Sequence, residues 1–195
     1  MKKLNNLKRR TIQFCLFAGL FFVVFFIANL PAFIIYFKGS ADFSVPWQIK
    51  EHSLEKNANY LLINKINLQE QLLVPSLYDN ESLRRALEEG VLLHPQFANI
   101  GKDSTGLIFG HSSDFWWNPG KAKYAFMFLE KLVPGDEIIV MLQGRSYKYS
   151  TKEISIVWPS AVKNRLEGGN KLLLVTCWPL GTSLQRLVVE AEFRE

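Results

Sequence analysis

Between Ile12 and Phe37 runs IQFCLFAGLFFVVFFIANLPAFIIYF, 26 residues without a charged side chain. At about 1.5 Å of rise per helical residue, such a run crosses the roughly 30 Å hydrocarbon core of a bilayer with tilt to spare. It reads as one transmembrane helix. The rival reading is a cleaved signal peptide, whose apolar region is usually about 7–15 residues long and ends in a small-x-small cleavage site. This run is longer, and Ala28-Asn29-Leu30-Pro31-Ala32 carries a proline where cleavage would fall. An uncleaved signal anchor is therefore expected.

Charge orients it. Lys2, Lys3, Lys8, Arg9 and Arg10 precede the run with no acid among them, and Lys38 alone closely follows it. The positive-inside bias puts the N-terminus in the cytoplasm and the rest of a single-pass plasma-membrane protein outside. The expected organisation is a basic tip (1–11), a transmembrane anchor (12–37), an extracytoplasmic spacer (38–59) and a catalytic domain (60–195). The same five cations explain the net charge of +5: without them, 18 basic residues face 18 acidic ones. The folded part has no basic excess for a nucleic acid to meet. At 195 residues and 48% hydrophobic content, the chain can bury a core.

Outside the membrane the two cysteines read differently. Cys15 lies within the apolar run, where a thiol acts as a small apolar group. Cys177 stands alone in an exported domain with no partner for an internal disulfide, which leaves either a buried inert thiol or a reactive one.

From Tyr60 onward the texture is that of short strands. YLLINKI, QEQLLVP, VLLH, LIFGH, KLLLVTC and RLVVEAEF are β-compatible, and DEIIVMLQGRSYKYSTKEISIVW reads as two or three strands turning at Gln143-Gly144-Arg145. ESLRRALEEG is a short helix with Ser82 as a possible cap and Gly90 as its stop. KYAFMFLEKL puts Phe126, Leu129 and Leu132 on one helical face, and PSAVKNRLEGGN has a helical flavour. About eight short strands with one or two helices favour an all-β closed barrel or a sandwich.

A thiol attacks only as the thiolate, so Cys177 needs a basic or cationic neighbour. His52 falls in the spacer and reads as a solvated residue. His94, before Pro95, reads as structural, with a rim position as its alternative. His111 ends an apolar strand after Gly110, as Cys177 ends another, and strands ending together bring such side chains to one face. Arg186 opens the following strand. If that strand returns antiparallel, the guanidinium reaches the same pocket and can donate to an oxygen turning anionic during attack. Reference values near 8.5 for Cys and 6.5 for His leave the neutral pair dominant at pH 7 unless a site shifts them.

The words around these residues carry a resemblance. LLLVTCWPLGTSLQRLVVEAEF is similar to the active-site segment of the sortases, with a Thr-Cys pair closing one strand and an arginine opening the next. GLIFGHSS resembles their glycine-histidine strand end, and FMFLEKLVPGDEIIV the stretch after it. LINKINLQEQLLVP and ALEEGVLLHPQFANIGKDSTG resemble the start of that domain, so the likeness runs from about Tyr60 to Phe193, in style closest to classes D and E. It implies a closed eight-stranded β-barrel with Cys177 as nucleophile, His111 as general acid and base, and Arg186 as oxyanion donor. Thr176 and Val175 would line the substrate groove. The implied reaction cuts an LPXTG-like C-terminal sorting signal of a surface or pilin protein through a thioacyl intermediate. An amine of a cell-wall precursor or of a pilin lysine then takes the acyl group. Leu173 departs from the commonest family motif, which has Thr four residues before the cysteine. No cofactor is called for. No residues have metal-ligand spacing, and no acidic cluster supports the calcium that some sortases bind. Trp116-Trp117 reads as core or rim packing, with substrate contact as its alternative. A cysteine peptidase without transfer, and an inactive barrel used as a binding module, remain the other readings.

Overall fold

The computed structural model describes residues 2–41, 58–77, 79–115 and 117–194. His52, most of the spacer and Trp116 lie outside these. A long helix, α1 (Lys2–Ala41), precedes strands β1 (Tyr60–Ile63) and β2 (Leu68–Leu73), helix α2 (Asn80–Glu89), and strands β3 (Val91–Leu93), β4 (Thr105–Phe109), β5 (Glu137–Leu142), β6 (Arg145–Val157), β7 (Lys171–Trp178) and β8 (Gln185–Arg194). Residues 9–38 of α1 are long and apolar enough to cross a membrane.

The eight strands close into a barrel in the order β1-β2-β3-β4-β7-β8-β6-β5, as expected from the sequence. Two neighbouring pairs, β2–β3 and β4–β7, are parallel. A parallel pair needs a long crossover. α2 supplies the first. Its cap is Asp79 rather than Ser82: the Asp79 carboxylate accepts from the Ser82 backbone N–H at 2.9 Å, with extended backbone at the cap. Gly90 ends α2 where a Cβ would lie 2.3 Å from the Gln71 carbonyl oxygen, so no larger residue fits beside β2.

β5 and β6 form one hairpin, turning through Gln143 and Gly144, both at positive φ. Two consecutive positive-φ residues mark the tight turn that matches strand twist. The run at 123–132 is a series of turns closing in a single 3-10 turn, Leu129–Lys131, not an α-helix. Phe126, Leu129 and Leu132 are nonetheless all buried in the barrel core. Their spacing reported burial correctly, but helical hydrogen bonding gave way to Phe126 N–H bonding the His111 carbonyl at 2.8 Å.

Leu172, Leu174 and Val189 point into the barrel, and Leu107, Leu173, Val175 and Val188 form a second cluster outside it. Val162 and Leu166, from the β6–β7 connection, and Phe97 cover that outer cluster. Burial on both faces explains why β7 reads LLLV without alternation.

Candidate active site

Cys177 shares its face of β7 with Leu173 and Val175, so its side chain belongs to the outer surface of the barrel wall. In the antiparallel β7–β8 ladder it lies directly opposite Arg186. Side chains so paired have Cβ atoms about 4.5–5.5 Å apart. Arg186 Nη1 donates to the Ser183 carbonyl at 3.0 Å and the Gln185 carbonyl at 2.8 Å. These bonds tie the guanidinium to the β7–β8 turn and leave Nε and Nη2 for another acceptor.

His111 arrives from the other side. The parallel β4–β7 register ends at Phe109↔Val175, and His111 and Cys177 each lie two residues further on. Here one backbone bond and two side-chain hydroxyls continue the ladder. Gly110 N–H donates to the Val175 carbonyl at 3.2 Å, the Thr176 hydroxyl to the Gly110 carbonyl at 2.7 Å, and the Ser112 hydroxyl to the Cys177 carbonyl at 2.9 Å. A Cβ on Gly110 would meet the Phe126 ring at 2.7 Å, so glycine lets that ring lie against the backbone just before His111. One residue beyond Ser112, the Ser113 hydroxyl accepts from Gly181 N–H at 2.9 Å, joining the loop after β4 to the β7–β8 turn.

A cavity of about 260 Å³ opens at the thiol, lined by Cys177, Ser113, Asp114, Phe115, Gly181, Thr182, Ser183 and Asn29 of α1. His111, two residues past the end of β4, and Arg186, on β8, flank β7 on its two sides and are not among the residues lining this cavity. Asp114 shapes one wall: its carboxylate accepts from Phe115 N–H and from the Asn118 amide, both at 2.7 Å.

The remaining candidates are spread around this centre. Val175 is buried in the outer cluster on the cysteine's face. Thr176, the next residue, faces the opposite way and lines a separate apolar cavity of about 400 Å³ between the barrel end and α1. His94 is buried against Phe97 and Phe109, with ring centroids at 5.5 and 6.1 Å, and burial pushes its pKa below the ordinary value of 6.5. Trp117 is exposed and stacks on Phe115 at 4.6 Å. Cys15 is exposed on α1. Ser112 and Ser113 were not singled out by sequence reasoning. The signal was two consecutive hydroxyls directly after Gly110-His111, in a chain whose other strand end carries Thr176.

The strands close into a barrel with a cysteine on its outer wall, an arginine opposite it on the neighbouring strand and a histidine just past the end of the strand on the other side. The chain belongs to the sortase family: residues 61–194 match the model of the sortase domain. Sortase A from Corynebacterium diphtheriae, as a lid mutant, is 24% identical and superposes with a TM-score of 0.58 over 71% of this chain and 70% of that one. Sortase C-1 from Actinomyces oris is 22% identical, with a TM-score of 0.57 over 70% and 73%. The pilus-related sortase C of Group B Streptococcus is 19% identical, with a TM-score of 0.59 over 73% and 69%. At these identities the structures share the fold. No curated protein matches the chain.

Proposed function

We propose that this sortase is a membrane-anchored cysteine transpeptidase that cuts an LPXTG-like sorting signal and passes the acyl group to an amine. The observation that carries this reading is the direct register pair Cys177↔Arg186, beside the strand end that holds His111. In the proposed cycle the Cys177 thiolate attacks the Thr–Gly carbonyl carbon and a C–S bond forms. Arg186 donates to the oxygen as it becomes anionic. The C–N bond then breaks, with His111 as imidazolium giving its proton to the departing glycine amine. Neutral His111 next removes a proton from the incoming amine, which attacks the thioester and releases the thiolate. Val175 lies on the thiol's side of β7 and suits a groove floor. Thr176 serves the site from the opposite face, through its bond to Gly110.

The substrates of this reading are surface or pilin proteins, and the acceptor is a cell-wall precursor amine or a pilin lysine. The basic tip and apolar α1 support a cytoplasmic N-terminus with the barrel outside. The test is to incubate the full chain in detergent with an LPXTG-type peptide, with and without an added amine. Ligation is the expected result. Cleavage alone would make the protein a peptidase, and failure to trap a thioester on Cys177 would leave a binding module.

A further inference from the structure

The exposure of α1 changes along its length. Residues 9–24 are exposed apart from a partly covered Ala18, with Phe14 at 74% and Phe17 at 73%. From Phe25 onward one stripe is covered, Phe25, Ala28, Asn29, Ala32, Phe33 and Tyr36 at helical i, i+3, i+4 spacing, with Pro31 and Ile35 partly covered beside it. Within it Asn29 is 7% exposed and Ala32 1%. The barrel covers that stripe. The Tyr36 hydroxyl donates to Glu130, and its ring lies 6.1 Å from that of Phe128. Phe25 and Phe33 close the apolar cavity against Met127, Trp178 and Leu180. Asn29 sits against Gly181, where a Cβ would come within 2.7 Å of its Oδ1.

Length explains the division. The uncharged run from Ile12 to Phe37 is about 39 Å long as a helix, some 9 Å more than the hydrocarbon core of a bilayer. From Thr11 to Ala28 the helix is about 27 Å long, about 3 Å short of that core, a mismatch that local thinning of the bilayer and snorkelling of Arg9 and Arg10 accommodate. Asn29 would then stand at the outer boundary, and the last third of the helix would rise out of the lipid against the barrel. The boundary then has a rim. Phe115 lines the same cavity as Asn29, Trp117 stacks on Phe115, and Leu184 follows Ser183 in that cavity's wall. They are 40%, 54% and 64% exposed. Aromatic residues at a membrane boundary settle among the headgroups.

We propose that the barrel docks on the outer third of α1, so that Phe115, Trp117 and Leu184 dip into the lipid surface and the Cys177 cavity opens at headgroup level. The partner is the bilayer itself, and the proposal rests on α1 being a membrane anchor. A scissile bond is then met at the membrane surface, within reach of precursors still held there.

The test uses the full chain in proteoliposomes whose lipids carry bromine near the headgroup end of the acyl chains. Trp117 is kept as the single tryptophan, the other four being changed to Phe. A second protein replaces all five by Phe and carries Leu20→Trp. Both should be quenched, Trp117 losing roughly half its emission with a blue shift. Quenching of Leu20→Trp with no change at Trp117 overturns the docking and leaves the anchor standing. No quenching at Leu20→Trp removes the anchor, and the proposal with it. Because Trp178 packs against the core, the Trp117 protein can fail to fold. Leu184→Cys labelled with a polarity-sensitive dye, in a Cys15→Ser, Cys177→Ala chain that keeps every tryptophan, gives the same reading: a blue shift on reconstitution supports the docking, and an unchanged spectrum overturns it.

Discussion

Arg186 and His111 are brought to the strand ends around Cys177 by different means. Arg186 is delivered by the β7–β8 ladder, eight residue pairs in unbroken antiparallel register with the cysteine pair next to last. His111 lies past the end of a five-pair parallel ladder. Separate local contacts hold it there: Gly110 under the Phe126 ring, the Phe126 N–H on the His111 carbonyl, and the hydroxyls of Thr176 and Ser112. A register is shared by every residue along both strands, so one substitution seldom moves it. Hydroxyl-to-carbonyl bonds are single, each worth about 0.5–1.5 kcal/mol. The arginine side of the site is therefore built to be rigid, and the histidine side can be loosened one bond at a time.

Removing the thiol that both sides serve gives the largest effect. Cys177→Ala should abolish peptide cleavage and ligation while far-ultraviolet circular dichroism and the melting curve stay close to wild type, since β7 keeps all its ladder bonds. Turnover surviving in that variant would end the nucleophile assignment.

Next comes the arginine side. Arg186→Lys keeps the charge but loses the planar fork that reaches the Ser183 and Gln185 carbonyls while leaving other N–H groups for the substrate. Turnover should fall on the order of 10²–10³, the usual cost of removing an oxyanion donor. Alkylation of Cys177 by a small reagent should be little changed. Near-wild-type turnover in the lysine variant would show that only the charge matters.

The two sides were not equally legible in the sequence. Apolar runs ending in Thr176-Cys177 and Gly110-His111, with Arg186 opening the last strand, suggested three strand ends that could meet, because strand register converts position in a run into position in space; the resemblance of the surrounding words to the sortases made the suggestion strong. The spacing of short strands left a closed barrel or a sandwich open, and the resemblance to the sortases implied the barrel that the strand order shows. The stretch 123–132 did not read true as a helix, since burial at intervals of three also fits successive turns packed over a barrel end. Ser82 lost the cap to Asp79 because both types cap well and only backbone geometry chooses. Ser112 and Ser113 were hidden because hydroxyls on a polar loop look solvated until the partner strand is known.

Ser112→Ala probes the histidine side. It removes the hydroxyl that donates to the Cys177 carbonyl, at a stability cost of about 1 kcal/mol. Turnover should drop roughly tenfold, as expected if about 1.4 kcal/mol of positioning is lost from the chemical step. Single-turnover acylation measured with Arg186→Lys and with both changes together sharpens the contrast. If the two sides act independently, the double variant should lose the product of the single factors. A smaller combined loss would mean that the two sides position the site as one unit.

The smallest effect is in pH. His94 packs on Phe109, the last residue of β4 before Gly110-His111, and burial holds its pKa below 6.5. Between its lowered folded value and the unfolded value the unfolded chain binds more protons, so stability is full above about 6.5 and is lost as pH falls below it. Glu70 on β2, remote in the barrel order from the β7–β8 pair, works oppositely. Burial raises its pKa from 4.5 to about 7, so its contribution is full below 4.5 and is lost as pH rises through 7. His94→Phe should flatten the acid side of a plot of melting temperature against pH, and Glu70→Gln the alkaline side. Only the first should change how peptide turnover declines between pH 7 and 5, because only His94 lies beneath the strand end that carries His111. If Glu70→Gln reshapes that decline as well, the β2 side of the barrel is coupled to the site, and the histidine arm is less local than its bonds imply.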